Sequence, residues 1–251
     1  MPEALFRFYG ELNDFLPPER RQAAFPHRFE LSAPVKDMIE GLGVPHPEVD
    51  LLLANGQSVD FSYMVRDGDR ISVYPVFESL DITPVLRVRP APLRDPRFVL
   101  DTHLGKLAGY LRMLGFDALY RNDYGDHELA ALSARERRIL LTRDAGLLKH
   151  GVITHGYWVR ETDARRQLSE VVRRFDLAGR IEPFSRCLRC NQRLVPAPQE
   201  ALQEGVPPAA RRRYGEFWRC LQCGRFYWQG SHYRRMKAWI AALGLGRQRS
   251  P

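Results

Sequence analysis

Two kinds of side chain in this sequence stand at spacings that suit chemistry. Cys187 and Cys190 form one Cys-x-x-Cys pair, Cys220 and Cys223 a second, and they are all the cysteines in the 251 residues. A two-residue gap lets both thiolates of a pair reach one ion, and two pairs make a closed tetrahedral zinc site with no open position for catalysis. A redox pair is the competing reading, and it suits a Cys-x-x-Cys at a helix start better than two pairs without one. The second kind is aspartate after a short apolar run: Asp101 after "FVL", Asp123 or Asp126 after "ALY", Asp144 after "ILL" and Asp163 after "YWV". Each also precedes a helical pattern and is a good N-cap, but Ser, Thr or Asn would cap equally well, so four aspartates point to a shared acidic site. Gathered carboxylates repel unless a cation neutralises them, and oxygen-only ligands suit Mg²⁺ or Mn²⁺ rather than zinc. Such an ion lowers the pKa of a bound water and stabilises charge on a phosphodiester under attack. Metal-dependent phosphodiester hydrolysis is therefore the local chemistry.

The elements that must position these residues follow from periodicity. From residue 97 strand and helix patterns alternate. "RFVLD" leads into a helix with Leu104, Leu107, Ala108, Leu111 and Leu114 on one face, closed by Gly115. "DALYRND" leads into "HELAALSARER", "RILLTRD" into "AGLLKH", and "GYWVRETD" into a helix carrying Leu168, Val171, Val172 and Phe175. Four such units imply a parallel sheet with helices on both faces, whose ligand crevice lies beyond the C-terminal strand ends. Before residue 83 the order is instead ββαββ. "LFRFYG" and "HRFELS" read as strands, and "SAPVKDMIEGLG" as a helix with Val35, Met38, Ile39 and Leu42 on one face and Ser32 as N-cap. Asn55-Gly56 suits a type I′ hairpin turn, and "GDRISVYPVF" supplies a further strand.

Between them, residues 83–96 hold Pro84, Pro90, Pro92 and Pro96 and read as a semi-rigid linker. The domains are thus 1–82, 97–182 and, after a second change of composition, 183–251. Residues 1–80 carry 7 Lys/Arg against 13 Asp/Glu, net −6, whereas residues 186–251 carry 13 against 3, net +10. That basic quarter suits an anionic partner, most simply nucleic acid. Aromatic residues interleave with its arginines, a combination that suits single-stranded RNA, and His232, Tyr233, Arg234 and Arg235 are the candidate contacts beside Arg211, Arg212 and Arg213. No apolar stretch is long enough to span a bilayer and the start lacks a signal peptide's pattern, so a cytoplasmic location is expected.

"FVLDTHLGKLAGYLRMLGFD", "LYRNDYGDHEL" and "RRILLTRDAGLLK", with "PFSRCLRCNQRLVP" and "FWRCLQCGRFYWQGSHYRRM", together resemble the Mut-seven C-terminal ribonuclease family. The first 82 residues resemble the ubiquitin-like β-grasp module fused to it, although the Gly-Gly tail of β-grasp sulfur carriers is missing. The resemblance implies a PIN-like α/β/α sandwich that cleaves RNA with divalent metal, a zinc ribbon with a basic C-terminal helix, and a β-grasp module serving recognition or scaffolding for a protein partner. By motif Asp101 and Asp144 are its metal ligands and Asp163 a fourth acid. The second is one of Asp123, Asp126 and Glu128, with Asp126 favoured. A non-catalytic RNA-binding adaptor, whose acids merely cap helices, is the alternative. A phosphohydrolase or receiver-like domain also places Asp at strand ends, but it would give the basic ribbon no purpose.

Overall fold

The structure is a computed structural model that describes residues 1–75, 87–88 and 95–242, so the Pro-rich linker lies largely outside the described residues. The N-terminal segment contains β1 (Glu3–Phe8), β2 (Phe25–Arg28), α1 (Val35–Gly41), β3 (Val49–Ala54), β4 (Gln57–Val59) and β5 (Arg70–Pro75). There follow β6 (Phe98–Leu100), α2 (Gly105–Met113), β7 (Ala118–Leu119), α3 (Asp126–Glu136), β8 (Ile139–Thr142), α4 (Ala145–Leu148), β9 (Gly156–Trp158) and α5 (Ala164–Arg174). The C-terminal part holds β10 (Val195–Pro196), α6 (Leu202–Gly205), α7 (Pro208–Arg213), β11 (Phe217–Arg219), β12 (Phe226–Trp228) and α8 (Ser231–Ala242). The fold class is that expected: a ubiquitin-like β-grasp, an α/β region with parallel strands, and a four-cysteine ribbon. Among the described residues no helix is long and apolar enough to cross a membrane. The chain divides into two compact units, residues 1–95 with 125–158, and residues 96–124 with 159–251.

In the first unit the sheet order β2-β1-β5-β3-β4 places the parallel pair β1 and β5 among antiparallel neighbours. Alternation along β1 turns Ala4, Phe6 and Phe8 inward, where they meet Val35, Met38 and Ile39 from α1. That helix face is the expected one, but its N-cap is Pro34 rather than Ser32. Val35 and Lys36 donate their amides to the carbonyls of Tyr63 and Phe61, so a neighbouring segment satisfies donors a cap would have served. Ser32 Oγ donates instead to Val65 O at 2.7 Å. Strand β2 starts earlier than expected because Phe25 pairs with Phe6 and joins the core. Asn55 and Gly56, at φ +52° and +83°, form the hairpin turn between β3 and β4, as the type I′ geometry requires.

The same unit contains the parallel pair β8 and β9, with Leu140 opposite Gly156 and Thr142 opposite Trp158. The β-grasp segment packs directly on this pair. His46, 6% exposed, bridges Glu40 Oε1 at 2.6 Å and Ile153 O at 2.7 Å. Lys149 Nζ donates to Glu40 O, Glu48 accepts from the Trp158 amide, and Phe15 meets the Trp158 ring.

In the second unit β6 and β7 run parallel, with Phe98 opposite Ala118. Leu104, Leu107, Ala108, Leu111 and Leu114 are buried as one helix face, and α5 buries Leu168, Val171 and Val172. Gly115 ends α2 at φ +97°, a left-handed position that glycine adopts without strain. The ribbon is the antiparallel sheet β10-β11-β12 over a small core of Leu202, Val206, Ala210 and Phe217.

Candidate functional site

Each cysteine pair lies on a tight backbone knuckle, and the two knuckles repeat one hydrogen-bond scheme. Cys187 N donates to Gln192 O and its carbonyl accepts from Asn191 N; Cys220 N donates to Arg225 O and its carbonyl accepts from Gly224 N. The residue after each pair is left-handed, Asn191 at φ +71° and Gly224 at φ +72°. The two turns therefore aim four sulfurs at one point. Cys187 Sγ lies 3.5 Å from Cys223 Sγ and Cys190 Sγ 3.3 Å from Cys220 Sγ. All four ligand atoms fall within 4.8 Å of one another. Those separations are too long for disulfides, whose S–S bond is about 2.05 Å. They suit tetrahedral zinc, where Zn–S bonds of about 2.3 Å imply sulfur–sulfur edges of roughly 3.8 Å. The cluster can hold a metal such as zinc.

Its electrostatics agree. Burial pushes the Cys187 thiol up, but the hydrogen bonds from Tyr227 Oη (3.1 Å) and from the backbone of Cys190 and Arg189 outweigh it and bring it down to about 6. Burial, reinforced by the sulfurs of Cys220, Cys187 and Cys223, pushes Cys190 up to about 12. Without a cation, one thiolate opposes the next; a dication removes that opposition.

The first knuckle is bolted to the α2–β7 end of its own unit. Arg112, 5% exposed, donates to the carbonyls of Ala118 (2.8 Å), Leu188 (3.1 Å) and Arg189 (2.8 Å). Burial works against its charge, while Cys187, Cys190 and Asp117 work for it. Asn191 accepts from Ala118 N at 2.9 Å and donates to Asp117 at 2.7 Å. Asn191→Ala should cost about 2–4 kcal/mol, combining left-handed strain with a buried Ala118 amide left unpaired. Asn191→Gly, which relieves only the strain, should fall between the alanine variant and wild type in denaturant melts. An alanine variant as stable as wild type would show that the bolt carries no weight. Neither Arg112 nor Asn191 stands out in the sequence, although the position of Asn191 directly after Cys190 matches that of Gly224 after Cys223.

Three of the four aspartates cap helices. Asp101, 5% exposed at the end of β6, accepts from Thr102 Oγ1 (3.0 Å), His103 N (3.3 Å) and His103 Nδ1 (3.1 Å). Asp144, after β8, accepts from Gly146 N at 2.7 Å. Asp163 accepts from the amides of Arg165 and Arg166 at 3.0 and 3.2 Å, at the start of α5. Every one of these bonds falls on Oδ1. Asp126 is exposed in the first turn of α3, whose N-cap is Gly125, Glu128 lies in that turn, and Asp123 makes a two-pronged ion pair with Arg121. Among the described residues the group of three or more metal-ligating side chains brought together is the four cysteines. The candidate RNA contacts lie on two helices: Arg211, Arg212 and Arg213 on α7, and His232, Tyr233, Arg234 and Arg235 on α8. His232, Arg234 and Arg235 are exposed, and Tyr233 packs on Phe184 with ring centroids 4.2 Å apart.

Comparison with curated proteins and with solved structures gives no match. Residues 1–81 match the Mut7-C ubiquitin domain. Residues 96–240, more than half of the chain and inclusive of all four aspartates and all four cysteines, match the Mut7-C RNAse domain, and the chain therefore belongs to the Mut7-C RNAse family.

Proposed function

We propose that the protein is a metal-dependent ribonuclease with Asp101, Asp126, Asp144 and Asp163 as its catalytic acids, of which Asp101 and Asp144 hold Mg²⁺ or Mn²⁺. The match of residues 96–240 to the Mut7-C RNAse domain carries this reading. The bound ion would supply an activated water and neutralise charge on the phosphodiester. The chain's own part is positional. Asp101 and Asp144 follow buried strands, and their cap bonds fix one oxygen of each carboxylate. In the same proposal the cysteines bind zinc structurally and the ribbon binds RNA. The domains are 1–82, 97–182 and 183–251, the β-grasp segment also serves a protein partner, and the protein works in the cytoplasm.

One observation favours the alternative of a non-catalytic RNA-binding adaptor, namely that Asp101, Asp144 and Asp163 all cap helices. Incubating the purified protein with structured and unstructured RNA in Mn²⁺, Mg²⁺ or EDTA, and mapping the ends, separates the two. Metal-dependent cleavage is expected; binding without cleavage in any ion would leave the adaptor.

The basic helices give a further prediction. If Arg211, Arg212, Arg213, Arg234 and Arg235 contact phosphates, RNA affinity should fall steeply with salt, and neutralising all five should reduce the slope of log K against log salt by roughly 3–4, at about 0.7 per contact to a single strand. An unchanged slope would place the RNA elsewhere.

A further inference from the structure

We propose that two adjoining clefts beside α8 form a track for single-stranded RNA, with an unstacked base held between Trp218 and Tyr233; this rests on the ribonuclease reading above. The first cleft, of about 590 Å³, is walled by Phe184, Trp218, Tyr227 and Tyr233 with Arg186 and Arg225. The second, of about 630 Å³, has Tyr110 and Trp239 with Lys106, Arg165 and Arg235. Leu188, His232 and Met236 line both, so the two adjoin. No aspartate or glutamate lines either one.

Strand alternation explains why aromatic faces are available there. Phe217 and Trp228 pair across β11 and β12 and pack on the ribbon core, their centroids 6.1 Å apart, with the half-buried Trp228 also lining the first cleft. The next pair, Trp218 opposite Tyr227, belongs to the other face of the sheet. Tyr227 is tied to Cys187 through its hydroxyl. Trp218 is half-buried and outside the ribbon core. Tyr233 lines the same cleft from α8, where its ring packs against Phe184, tilted by 42°. Aromatic faces beside cations, with no carboxylate to repel a phosphate, are what a nucleotide chain needs. Bases already stacked inside a duplex have no free face to offer, so the track selects single strands. Arg235, Lys106 and Arg165 in the second cleft would take the phosphates that follow.

The test uses the full zinc-bound chain with no added divalent cation and fluorescence anisotropy of a labelled oligoadenylate of about eight nucleotides. A blunt RNA duplex of the same length is the comparison. The single strand should bind at least about tenfold more tightly. Trp218→Ala and Tyr233→Ala should each weaken it by about 5- to 150-fold, the range for one stacked base, and leave duplex affinity unchanged. Trp218→Phe should restore most of the loss. Zinc content and melting temperature report whether the ribbon is intact, and Tyr233 on α8 is a variant outside its strands. Equal affinity for single strand and duplex, unchanged binding in both alanine variants, or adenosine monophosphate competing as well as the oligomer would overturn the proposal. RNA cleavage in Mn²⁺ with binding unchanged by both variants would sink the track and leave the ribonuclease reading standing. Track-dependent binding without cleavage in any divalent ion would support the track and sink the ribonuclease reading instead.

Discussion

Replacement of Cys190 or Cys223 by serine is expected to unfold the ribbon and release one equivalent of zinc. Four thiolates around one ion contribute about 10–16 kcal/mol of apparent binding free energy in small zinc modules. The ribbon's own core, with Leu202, Val206, Ala210 and Phe217 as its buried residues, has little to set against that loss. The damage should also reach past the ribbon along a defined route. With the first knuckle gone, the buried Arg112 loses two of its three carbonyl acceptors and the Ala118 amide loses Asn191. Unpaired buried groups of this kind cost about 1–3 kcal/mol each, more for a charged one. Amide exchange should therefore speed up throughout residues 186–230 and at Ala118, while Phe6, Ile39 and Ile71 of the β-grasp core keep their protection. Elemental analysis of wild type should find one zinc per chain. A folded, fully reduced preparation without zinc would refute the structural role of the cluster.

How much of this is legible in the sequence depends on how local each cause is. The cysteine pairs are short-range motifs whose two-residue spacing points to a shared metal site. The Asn55-Gly56 turn is equally local, because two consecutive residues must accept positive φ. The α1 face at Val35, Met38 and Ile39 follows from period alone. Ser32 reads as its cap because the backbone of Tyr63 and Phe61, which takes the first amides of α1, approaches only in the folded chain. Arg112 shows the same limit more strongly. On α2 it reads as one more solvated cation, and its burial depends on carbonyls 76 and 77 residues away. Lys106, Tyr110 and Arg165 likewise become neighbours of α8 only through tertiary packing. The aspartates are marked by their place after apolar runs, and Asp101, Asp144 and Asp163 do stand at helix starts. Capping and metal binding accept the same residue at the same position, so sequence separates them only through the repetition of Asp where Ser, Thr or Asn would cap as well.

The substitution Asp144→Asn separates them. The amide oxygen of the new side chain would still accept from the Gly146 N–H, so size and cap survive while the charge is lost. Under the capping reading, Asp144→Asn and Asp101→Asn should leave melting temperature and RNA behaviour close to wild type. Under the metal reading, each removes an ionic ligand. Since loss even of a partner behind a ligand costs about 10- to 100-fold, removal of a ligand itself should lower cleavage at least about a hundredfold. The ion should also stabilise wild type alone, by about 2.7 kcal/mol at a concentration a hundred times its dissociation constant. In its absence the variants should be no less stable than wild type, because one repelled carboxylate is gone. The decisive measurement is the rate of Mn²⁺-dependent RNA cleavage by zinc-replete wild type, Asp101→Asn and Asp144→Asn, alongside their melting temperatures with and without Mn²⁺. The predicted result is cleavage and a Mn²⁺-induced rise in wild type, with both lost in each folded variant. Wild-type cleavage rates in both variants would contradict the assignment of Asp101 and Asp144 as metal ligands.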